Sequence, residues 1–450
     1  MIRRIALAAV LLQACSPEKP AHQIEGRWRG SGMVFGDSSP LTIDFRSDRD
    51  SLRAFASMTS EAMFLEKPLR DVSLTGDSLH MELVNNSGSA ARFDGYVIGD
   101  TIRGAFRKNA NEIYVKLVRA GPTPPRPYDQ EEMKFTSRDG TILEGTIFLP
   151  RSAGPHPAVV FIHGSGPSER SDFNYLGDAF VRRGIAVLEY DKRGAGRSGG
   201  DTNRSSLARL AEDVSAGVAA LRKRADIDQQ TIGICGVSEG GWVAPIVASS
   251  DSTVAFVVAV VAPGGTYEEN ALYQNAARLR AHRASTRQID NYVRATREIG
   301  SIVRLRLKNP ADTTITNRVR AADARLAILQ RDSVYRVTDL PRSVPSGDVL
   351  TRWRWKTMDF DPFPYWKNVR VPALVVLGAS DQNVDSRSSV SRIGEALRTG
   401  GNKDVTFIVY DAANHDMMVP GAGRGFRFPV PAPGYPDTLA SWINAKVARR

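Results

Sequence analysis

The hexapeptide Gly236-Val237-Ser238-Glu239-Gly240-Gly241 decides how the second half of this 450-residue chain is interpreted. It follows an apolar run at residues 232–235 that is typical of a buried strand, and it precedes the helix-compatible residues 242–247. A strand, a sharp turn and a helix around a G-x-S-x-G sequence form a nucleophile elbow, which holds a serine in a strained conformation. The glycines let neighbouring chains approach, and the helix directs backbone N–H groups towards a developing oxyanion. We therefore predict that Ser238 is a nucleophile.

Short apolar runs alternate with helical patterns on both sides of this turn. The runs lie at residues 158–162, 185–188, 232–234, 254–261, 373–377 and 405–409. The clearest helical periodicity is at residues 206–221, and residues 438–447 form a C-terminal helix. Buried parallel strands with crossover helices define the α/β class. We predict a mostly parallel α/β sheet for residues 131–450, which begins with an antiparallel hairpin at residues 134–149.

One long segment interrupts this alternation. Residues 265–366 are rich in Arg and Ala, show helical periodicity at residues 271–279, and contain no run typical of a parallel strand. A segment of this length between sheet strands is usually functional. We predict a helical cap at about residues 265–366 that covers the active site; the alternative is an ordinary surface excursion.

The N-terminal part of the chain has a different pattern. Apolar residues alternate with polar ones at residues 41–45 and 79–83, which is typical of half-buried β-strands, and Gly99-Asp100 is a hairpin signal. We predict a small all-β domain at residues 22–120, either a barrel or a sandwich. A proline-rich stretch predicts an extended linker at residues 121–130.

The first fifteen residues have the pattern of a bacterial export signal. Two arginines precede an apolar run at residues 5–12, which is too short to span a bilayer as a folded helix. The ending Leu12-Gln13-Ala14-Cys15 resembles a lipobox, in which Cys15 becomes the lipidated first residue of the mature chain. We predict a lipoprotein signal peptide at residues 1–15 and a lipid anchor in the cell envelope, facing the periplasm or the surface at the outer membrane. An ordinary signal peptide that contains a cysteine is the alternative.

Composition excludes several other classes of function. The net charge is +11, but the arginines are dispersed without a basic block, so we predict no nucleic-acid partner. With Cys15 lipidated, Cys235 has no disulfide partner and is interpreted as a buried apolar residue. No spacing typical of metal ligands occurs, and we predict no metal and no cofactor. Residues 194–199 match G-x-G-x-x-G, but a loop follows them where a dinucleotide fingerprint opens into a helix.

A nucleophilic serine needs a base, and the base needs an orienting acid. Of the six histidines, only His415 follows the last apolar strand near the end of the chain. The others lie near the anchor, in the β domain, in loops or in the cap: His22, His80, His156, His163 and His282. Asp381 follows the strand at residues 373–377 and is the predicted acid. Asp385, four residues further on, is the alternative.

Several motifs resemble those of a bacterial α/β-hydrolase group related to serine aminopeptidases and prolyl-oligopeptidase-like esterases. They are His-Gly-Ser-Gly-Pro at residues 163–167, Tyr-Asp-x-Arg-Gly-x-Gly-x-Ser at 190–198, Gly-x-Ser-Glu-Gly-Gly at 236–241, and, nearer the C-terminus, Phe360-Asp-Pro, Val371-Pro-Ala-Leu, Gly378-x-x-Asp381 and Asn414-His415. The order Ser, Asp, His along the chain is also that of α/β-hydrolases. Val237 stands where the group usually has a histidine, but this position is not a triad member. The β domain is similar to N-terminal modules of some of these hydrolases.

The resemblance implies an oxyanion hole and a reaction class. The backbone N–H groups of Ser165 and Glu239 would form the oxyanion hole. The triad Ser238, Asp381 and His415 would cleave a small carboxylic ester, thioester or amide through an acyl-serine intermediate. We predict an esterase first and an exopeptidase on short peptides second. A different class, a non-catalytic surface-binding lipoprotein, is kept as a remote alternative.

Overall fold

The computed structural model of this chain describes five stretches of sequence. They are residues 24–48, 51–58, 64–84, 89–309 and 312–449. The predicted signal peptide, its lipidation site Cys15 and His22 lie outside these residues. The chain divides into two compact units, one of Met1–Ser57 with Pro68–Pro124 and the other of Met58–Lys67 with Pro125–Arg450. No helix in the described stretches is both long enough and apolar enough to cross a bilayer.

The N-terminal strands form a closed barrel, in which β1 to β8 follow one another in chain order. The strands are β1 Gly26–Val34, β2 Asp37–Asp48, β3 Ser51–Met58, β4 Phe64–Thr75, β5 Ser78–Val84, β6 Ala90–Ile98, β7 Thr101–Lys108 and β8 Asn111–Gly121. Alternate side chains point inwards, so that Trp28, Ile43 and Phe93 are fully buried. Closure comes from the antiparallel pairing of β1 with β8, which removes the sheet edges that a sandwich would leave.

The C-terminal unit contains a second sheet with the strand order β16-β15-β14-β13-β11-β12-β10-β9. Its strands are β9 Tyr128–Thr136, β10 Ile142–Pro150, β11 His156–Ile162, β12 Ala186–Tyr190, β13 Ile227–Val237, β14 Val257–Val260, β15 Ala373–Gly378 and β16 Val405–Tyr410. The strands from β11 to β16 pair in parallel, whereas β10 is antiparallel to both β9 and β12. A separate two-stranded sheet joins β17 Met418–Val419 to β18 Val430–Pro431.

Helices cover both faces of this second sheet. They are α1 Asn174–Val181, α2 Leu207–Leu221, α3 Gly240–Ser250, α4 Tyr267–Ala281, α5 Thr286–Lys308, α6 Thr316–Leu329, α7 Trp353–Lys356, α8 Phe363–Asn368, α9 Ser386–Thr399 and α10 Tyr435–Val447. Side chains of α2, α3, α8 and α9 pack on one face, and those of α1 and α10 pack on the other. Neighbouring strand residues alternate between these two cores, as Val159 and Val160 do. The unit is therefore a three-layer α/β structure with one hydrophobic core on each side of the sheet.

The segment between β14 and β15 contains α4 to α8 and, among its described residues, no strand. Part of it has a core of its own, in which Ile299 and Val303 of α5 pack with Leu326 of α6. A second small cluster joins Leu279 and Tyr292. The helices of residues 265–366 thus have small cores of their own, while Trp366 packs in the core of the sheet, and the role of this segment as a cap stays a prediction.

The linker is shorter than the sequence analysis predicts. β8 continues to Gly121 and β9 begins at Tyr128, so only residues 122–127 connect the strands, in place of 121–130. Four prolines in this stretch have no N–H group to donate to a strand ladder. Tyr128 pairs with Pro150 of β10, and the second sheet therefore starts before residue 131.

Candidate active site

The turn between β13 and α3 places Ser238 in a left-handed backbone conformation with φ of 56°. A non-glycine residue reaches this region only where the surrounding structure imposes it. The Ser238 N–H donates to the Val260 carbonyl at 2.9 Å, which ties the turn to the neighbouring strand β14. A Cβ at Gly236 would come within 2.2 Å of the Gly240 carbonyl oxygen, and one at Gly240 within 2.4 Å of the Ile162 oxygen. Both glycines are therefore needed to close the turn.

Two hydrogen bonds connect Ser238 to a histidine and a carboxylate. Nε2 of His415 lies 3.0 Å from Oγ of Ser238, and Nδ1 of His415 lies 2.7 Å from Oδ2 of Asp381. The Asp381 side chain is fully buried, and 19% of the His415 side chain is exposed. The other Asp381 oxygen accepts the N–H groups of Asn383 and Val384 at 2.7 and 2.9 Å. The structure thus brings the three predicted triad residues into one chain of hydrogen bonds.

The fold explains why these residues meet although they are far apart in sequence. Ser238 follows β13, Asp381 follows β15 and His415 follows β16, and the carboxyl ends of parallel strands share one edge of the sheet. The loops after β15 and β16 are joined, because the Ser380 N–H donates to the Ala413 carbonyl at 3.0 Å. A shared sheet edge and joined loops hold acid and base side by side.

Asp385, the alternative acid, has a different place. It is the N-cap of α9, where its Oδ1 accepts the Ser388 N–H at 3.0 Å. A cap of this kind satisfies one of the free N–H groups at the start of a helix. The carboxylate that accepts a hydrogen bond from His415 is that of Asp381.

The loop after β11 lies against Ser238. A Cβ added to Gly164 would lie 3.5 Å from Cβ of Ser238, so the backbone of this loop is in contact with the serine. Ser165 follows in the loop, and Glu239 follows the serine in the elbow. Within the described part of the chain, neither of their backbone N–H groups donates a hydrogen bond. Both N–H groups therefore keep their capacity to donate a hydrogen bond, and their place in an oxyanion hole stays a prediction.

His163, at the start of the same loop, is a buried neutral histidine. Its ring packs against the rings of Phe173 and Tyr190, with centroids 5.0 and 5.1 Å apart. Burial, with repulsion from the Lys192 ammonium, lowers the pKa of His163 to about 3. An imidazole that stays neutral and packed between aromatic rings has a structural role in this loop.

The Asp-Lys-Arg sequence at residues 191–193, directly after β12, forms buried ion pairs. From the sequence these residues are recognised only as part of the motif at residues 190–198. Asp191 pairs with Arg170 at 2.8 Å, and Arg193 pairs with Asp213 of α2. The third residue, Lys192, contacts the loop that flanks Ser238. The sequence signal for these ion pairs is a run of three charged residues directly after a buried strand, because charged side chains are buried only when they are paired.

Residues 194–199, which match the dinucleotide pattern, close into a loop. The Gly194 N–H donates to the Gly199 carbonyl at 2.8 Å, and the next α-helix begins only at Leu207. A Cβ at Gly196 would come within 2.4 Å of the Asp191 carboxylate, so this glycine admits the ion pair with Arg170. In the described stretches there is no cluster of three or more His, Cys, Asp or Glu side chains placed to hold a metal ion.

The helical segment between β14 and β15 contacts α3, which is the helix after Ser238. It also contacts the loop after β15 that carries Asp381, called the acid loop below. The Tyr273 hydroxyl of α4 donates to the Asp381 carbonyl at 2.9 Å. The ring of Trp242, at the start of α3, packs against Tyr267 and Phe360 with centroids 5.9 and 6.0 Å apart. This segment therefore packs directly on the surroundings of Ser238.

A strained serine at a strand-to-helix turn, with a histidine in reach and a mostly parallel sheet beneath it, is the arrangement of serine-dependent α/β-hydrolases. A comparison with known protein families identifies the family within the α/β-hydrolases. Residues 139–409, more than half of the chain, match the X-Pro dipeptidyl-peptidase (S15 family). The chain belongs to this family, and it is a serine α/β-hydrolase enzyme.

The individual proteins that this chain resembles are named for different hydrolytic activities. Esterase EstD of Thermotoga maritima is 23% identical over 359 residues, which are 76% of this chain and 73% of the esterase. Thiohydrolase aneE of Aspergillus aculeatus is 32% identical over 130 residues, which are 29% of this chain and 40% of the thiohydrolase. Among solved structures, the Pyrococcus furiosus esterase PF2001 is 17% identical with a TM-score of 0.45, covering 72% of this chain and 91% of its own.

Proposed function

We propose that this enzyme hydrolyses small carboxylic esters through a covalent acyl-Ser238 intermediate. The observation that carries the proposal is the pair of hydrogen bonds that His415 makes, at 3.0 Å with Ser238 and at 2.7 Å with Asp381. A histidine in this position can take the serine proton, while the buried carboxylate orients the ring and stabilises the imidazolium that forms. Ser238 is thereby converted from a weak nucleophile into an effective one.

The proposed reaction has two symmetrical halves. Oγ of Ser238 attacks the ester carbonyl carbon, its proton passes to Nε2 of His415, and the carbonyl oxygen becomes an oxyanion. Collapse of this intermediate breaks the bond to the alcohol, which leaves with the proton from His415. Water then attacks the acyl-serine with His415 as base, the acid is released and Ser238 is restored. The N–H groups of Ser165 and Glu239 stabilise the oxyanion in both halves.

Two observations bear on the choice between ester and peptide. The longest of the reported sequence matches is to a protein named an esterase, which supports ester hydrolysis. The family description names a dipeptidyl-peptidase, and this supports an exopeptidase on short peptides as the second candidate. A binding protein without catalysis has less support, because binding alone does not require a strained serine hydrogen-bonded to a histidine.

A substrate panel tests the proposal. We expect kcat/KM for short p-nitrophenyl esters to exceed that for aminoacyl- and prolyl-naphthylamides, and a fluorophosphonate probe to label the wild-type enzyme but not Ser238→Ala. Faster turnover of the naphthylamides would favour the exopeptidase. No labelling together with no turnover of either class would contradict the proposed acyl-Ser238 mechanism.

A further inference from the structure

The ammonium group of Lys192 joins the two segments that flank Ser238. Its Nζ lies 2.7 Å from the Gly164 carbonyl oxygen and 2.6 Å from Oε1 of Glu239. The lysine and glutamate side chains are only 3% and 2% exposed. Both bonds are therefore shielded from water, where charge-assisted hydrogen bonds are strongest.

The strand order explains how one side chain reaches both segments. Lys192 follows β12, Gly164 follows β11 and Glu239 follows β13, and these strands are neighbours in the order β13-β11-β12. Neighbouring strands are about 4.8 Å apart, so the side chain that starts beyond β12 crosses the end of β11 to meet the elbow after β13. Lys192 thus spans the three strand ends around Ser238.

The contact with Gly164 also sets the direction of the next N–H group. The peptide bond between Gly164 and Ser165 is trans, and in a trans peptide the C=O and the following N–H point in opposite directions within one plane. Because Lys192 holds the Gly164 oxygen on one side, the Ser165 N–H is directed to the other side. The ion pair with Glu239 holds the residue whose own N–H is the second predicted donor.

We propose that Lys192 is a positioning residue that orients both donors of the oxyanion hole through its bonds to Gly164 and Glu239. The proposal rests on the proposed function, since it requires an oxyanion at Ser238. Donors that are fixed before the reaction stabilise the oxyanion without reorganising as charge develops, whereas loosened donors stabilise it less. Lys192 therefore acts on kcat and leaves substrate binding largely unaffected.

The nearby pair of Arg193 and Asp213 shows what a purely structural ion pair in this loop looks like. It is also buried, with side chains 4% and 1% exposed, but it joins the loop to α2, and Arg193 makes a second ion pair with the partly exposed Asp139 at 3.0 Å. Removing one member of a buried pair leaves an unpaired charge, while replacing both by apolar residues of similar size is far better tolerated. The same double replacement at the two pairs can separate stability from positioning.

The test compares Lys192→Met/Glu239→Met with the matched control Arg193→Met/Asp213→Met. Each double variant is assayed for the kcat and KM of p-nitrophenyl acetate hydrolysis, inhibition by a trifluoromethyl ketone, and thermal unfolding. The ketone forms a tetrahedral adduct with an oxyanion, so its inhibition constant reports on the oxyanion hole. Glu239→Gln, which keeps a neutral acceptor near Lys192, is measured as a second variant because it avoids two simultaneous core replacements.

We expect the Lys192→Met/Glu239→Met variant to lose about 10- to 100-fold in kcat, less than the ~100- to 1,000-fold cost of removing one oxyanion donor. Ketone inhibition should weaken by a similar factor, with KM changed less than threefold. Glu239→Gln should show a smaller loss of the same pattern. The control pair should change kcat less than threefold even where it lowers the unfolding temperature.

Two results would overturn the proposal. One is a Lys192→Met/Glu239→Met variant with wild-type kcat and ketone inhibition. The other is a Glu239→Gln variant with wild-type values where the double variant does not fold. Full activity of Ser238→Ala would instead refute the proposed function, so the two failures are distinguishable.

Discussion

At the scale of single residues, the two aspartates after β15 differ in what their carboxylates contact. Asp381 is fully buried and bonds both His415 and the N–H groups of its own turn, whereas Asp385 caps α9. A carboxylate without freedom to turn holds the imidazole in one tautomer and one orientation. This difference in contacts makes the role of the acid testable with two chemically identical substitutions.

We expect Asp381→Asn to lower kcat by about 10⁴, because the amide favours the wrong tautomer of His415. Asp385→Asn should change kcat little, since asparagine is an equally good N-cap. Steady-state kinetics on one ester checks both. The reverse ranking would assign the acid to Asp385. Ser238→Ala and His415→Ala provide the reference, with expected losses of about 10⁴ to 10⁶ and unchanged circular dichroism.

Glu189, on β12, is a buried acid that the proposed reaction does not use. Its side chain is fully buried, and neither carboxylate oxygen has a hydrogen-bond partner in the part of the chain that the structure describes. Burial raises the pKa of Glu189 well above its usual range. In the folded protein the side chain therefore keeps its proton at a pH at which the unfolded chain has lost it.

The sign of the resulting pH dependence follows from proton uptake. Above the unfolded pKa, the native state binds one more proton than the unfolded state, so the stability from this group falls as pH rises towards the folded pKa. Glu189→Gln removes this term. As pH rises above the ordinary glutamate pKa, the free energy of unfolding of Glu189→Gln should therefore increase relative to that of the wild type, by at most about 1.4 kcal/mol per pH unit. Urea unfolding measures the difference. The exposed Glu395→Gln on α9 is the control, and a pH-independent difference for Glu189→Gln would contradict the prediction.

At the scale of elements, α4 is coupled to the loop that carries Asp381 by two hydrogen bonds. The Tyr273 hydroxyl of α4 reaches the Asp381 backbone carbonyl, and Gln274 of the same helix donates to Asn383 at 2.9 Å. Both contacts hold the turn that presents Asp381 to His415. If this segment covers Ser238 as predicted, we expect it to influence turnover as well as the size of the acyl group that the enzyme accepts.

We expect Tyr273→Phe to lower kcat/KM by up to about tenfold, because a lost hydrogen bond of about 0.5–1.5 kcal/mol loosens the acid loop. Tyr335→Phe is a matched control, since its hydroxyl also donates to a backbone carbonyl, that of Gln288 inside the cap, at 3.0 Å. The control should lose comparable stability and keep its kinetics. Equal kinetic effects of the two variants would show that the coupling is not specific. Assays over a series of acyl chain lengths show whether the cap also selects substrate size.

At the scale of the whole molecule, the N-terminal lipidation signal predicts where the enzyme is located. Cys15 lies outside the described residues, so lipid attachment stays a prediction from the Leu-Gln-Ala-Cys sequence. Ser16 is uncharged, which suits release to the outer membrane more than retention at the inner membrane. An anchored hydrolase would meet its substrates at the envelope.

We expect wild-type protein to incorporate radiolabelled palmitate and to fractionate with membranes. Cys15→Ala should lose the label and remain as a precursor with an uncleaved signal. Esterase assays on detergent extracts serve as the control that Cys15→Ala is folded. Wild-type protein found only in the soluble periplasmic fraction would contradict the lipid anchor.

The order of neighbouring residues in the sequence was sufficient by itself to predict the nucleophile elbow and the helices. Gly236, Ser238 and Gly240 lie within five residues, and a turn of this kind is encoded by which positions tolerate a side chain. The helix at residues 206–221 was predictable from its period, and the structure begins α2 at Leu207 with Ser206 as N-cap. His415 and Asp381 could be proposed because each follows an apolar run, and parallel strands end at one edge.

Only the tertiary structure decided which distant groups meet. The N-terminal strands form a closed barrel only because β1 pairs with β8, about ninety residues later in the chain. The alternation of apolar and polar residues in these strands is equally compatible with a sandwich. The bonds of Lys192 to Gly164 and Glu239 depend on the order of β11, β12 and β13 in the sheet. The spacing of apolar side chains within a strand determines which face of that strand is buried. It does not determine which strand lies next to it, because strand order depends on the packing of the whole unit.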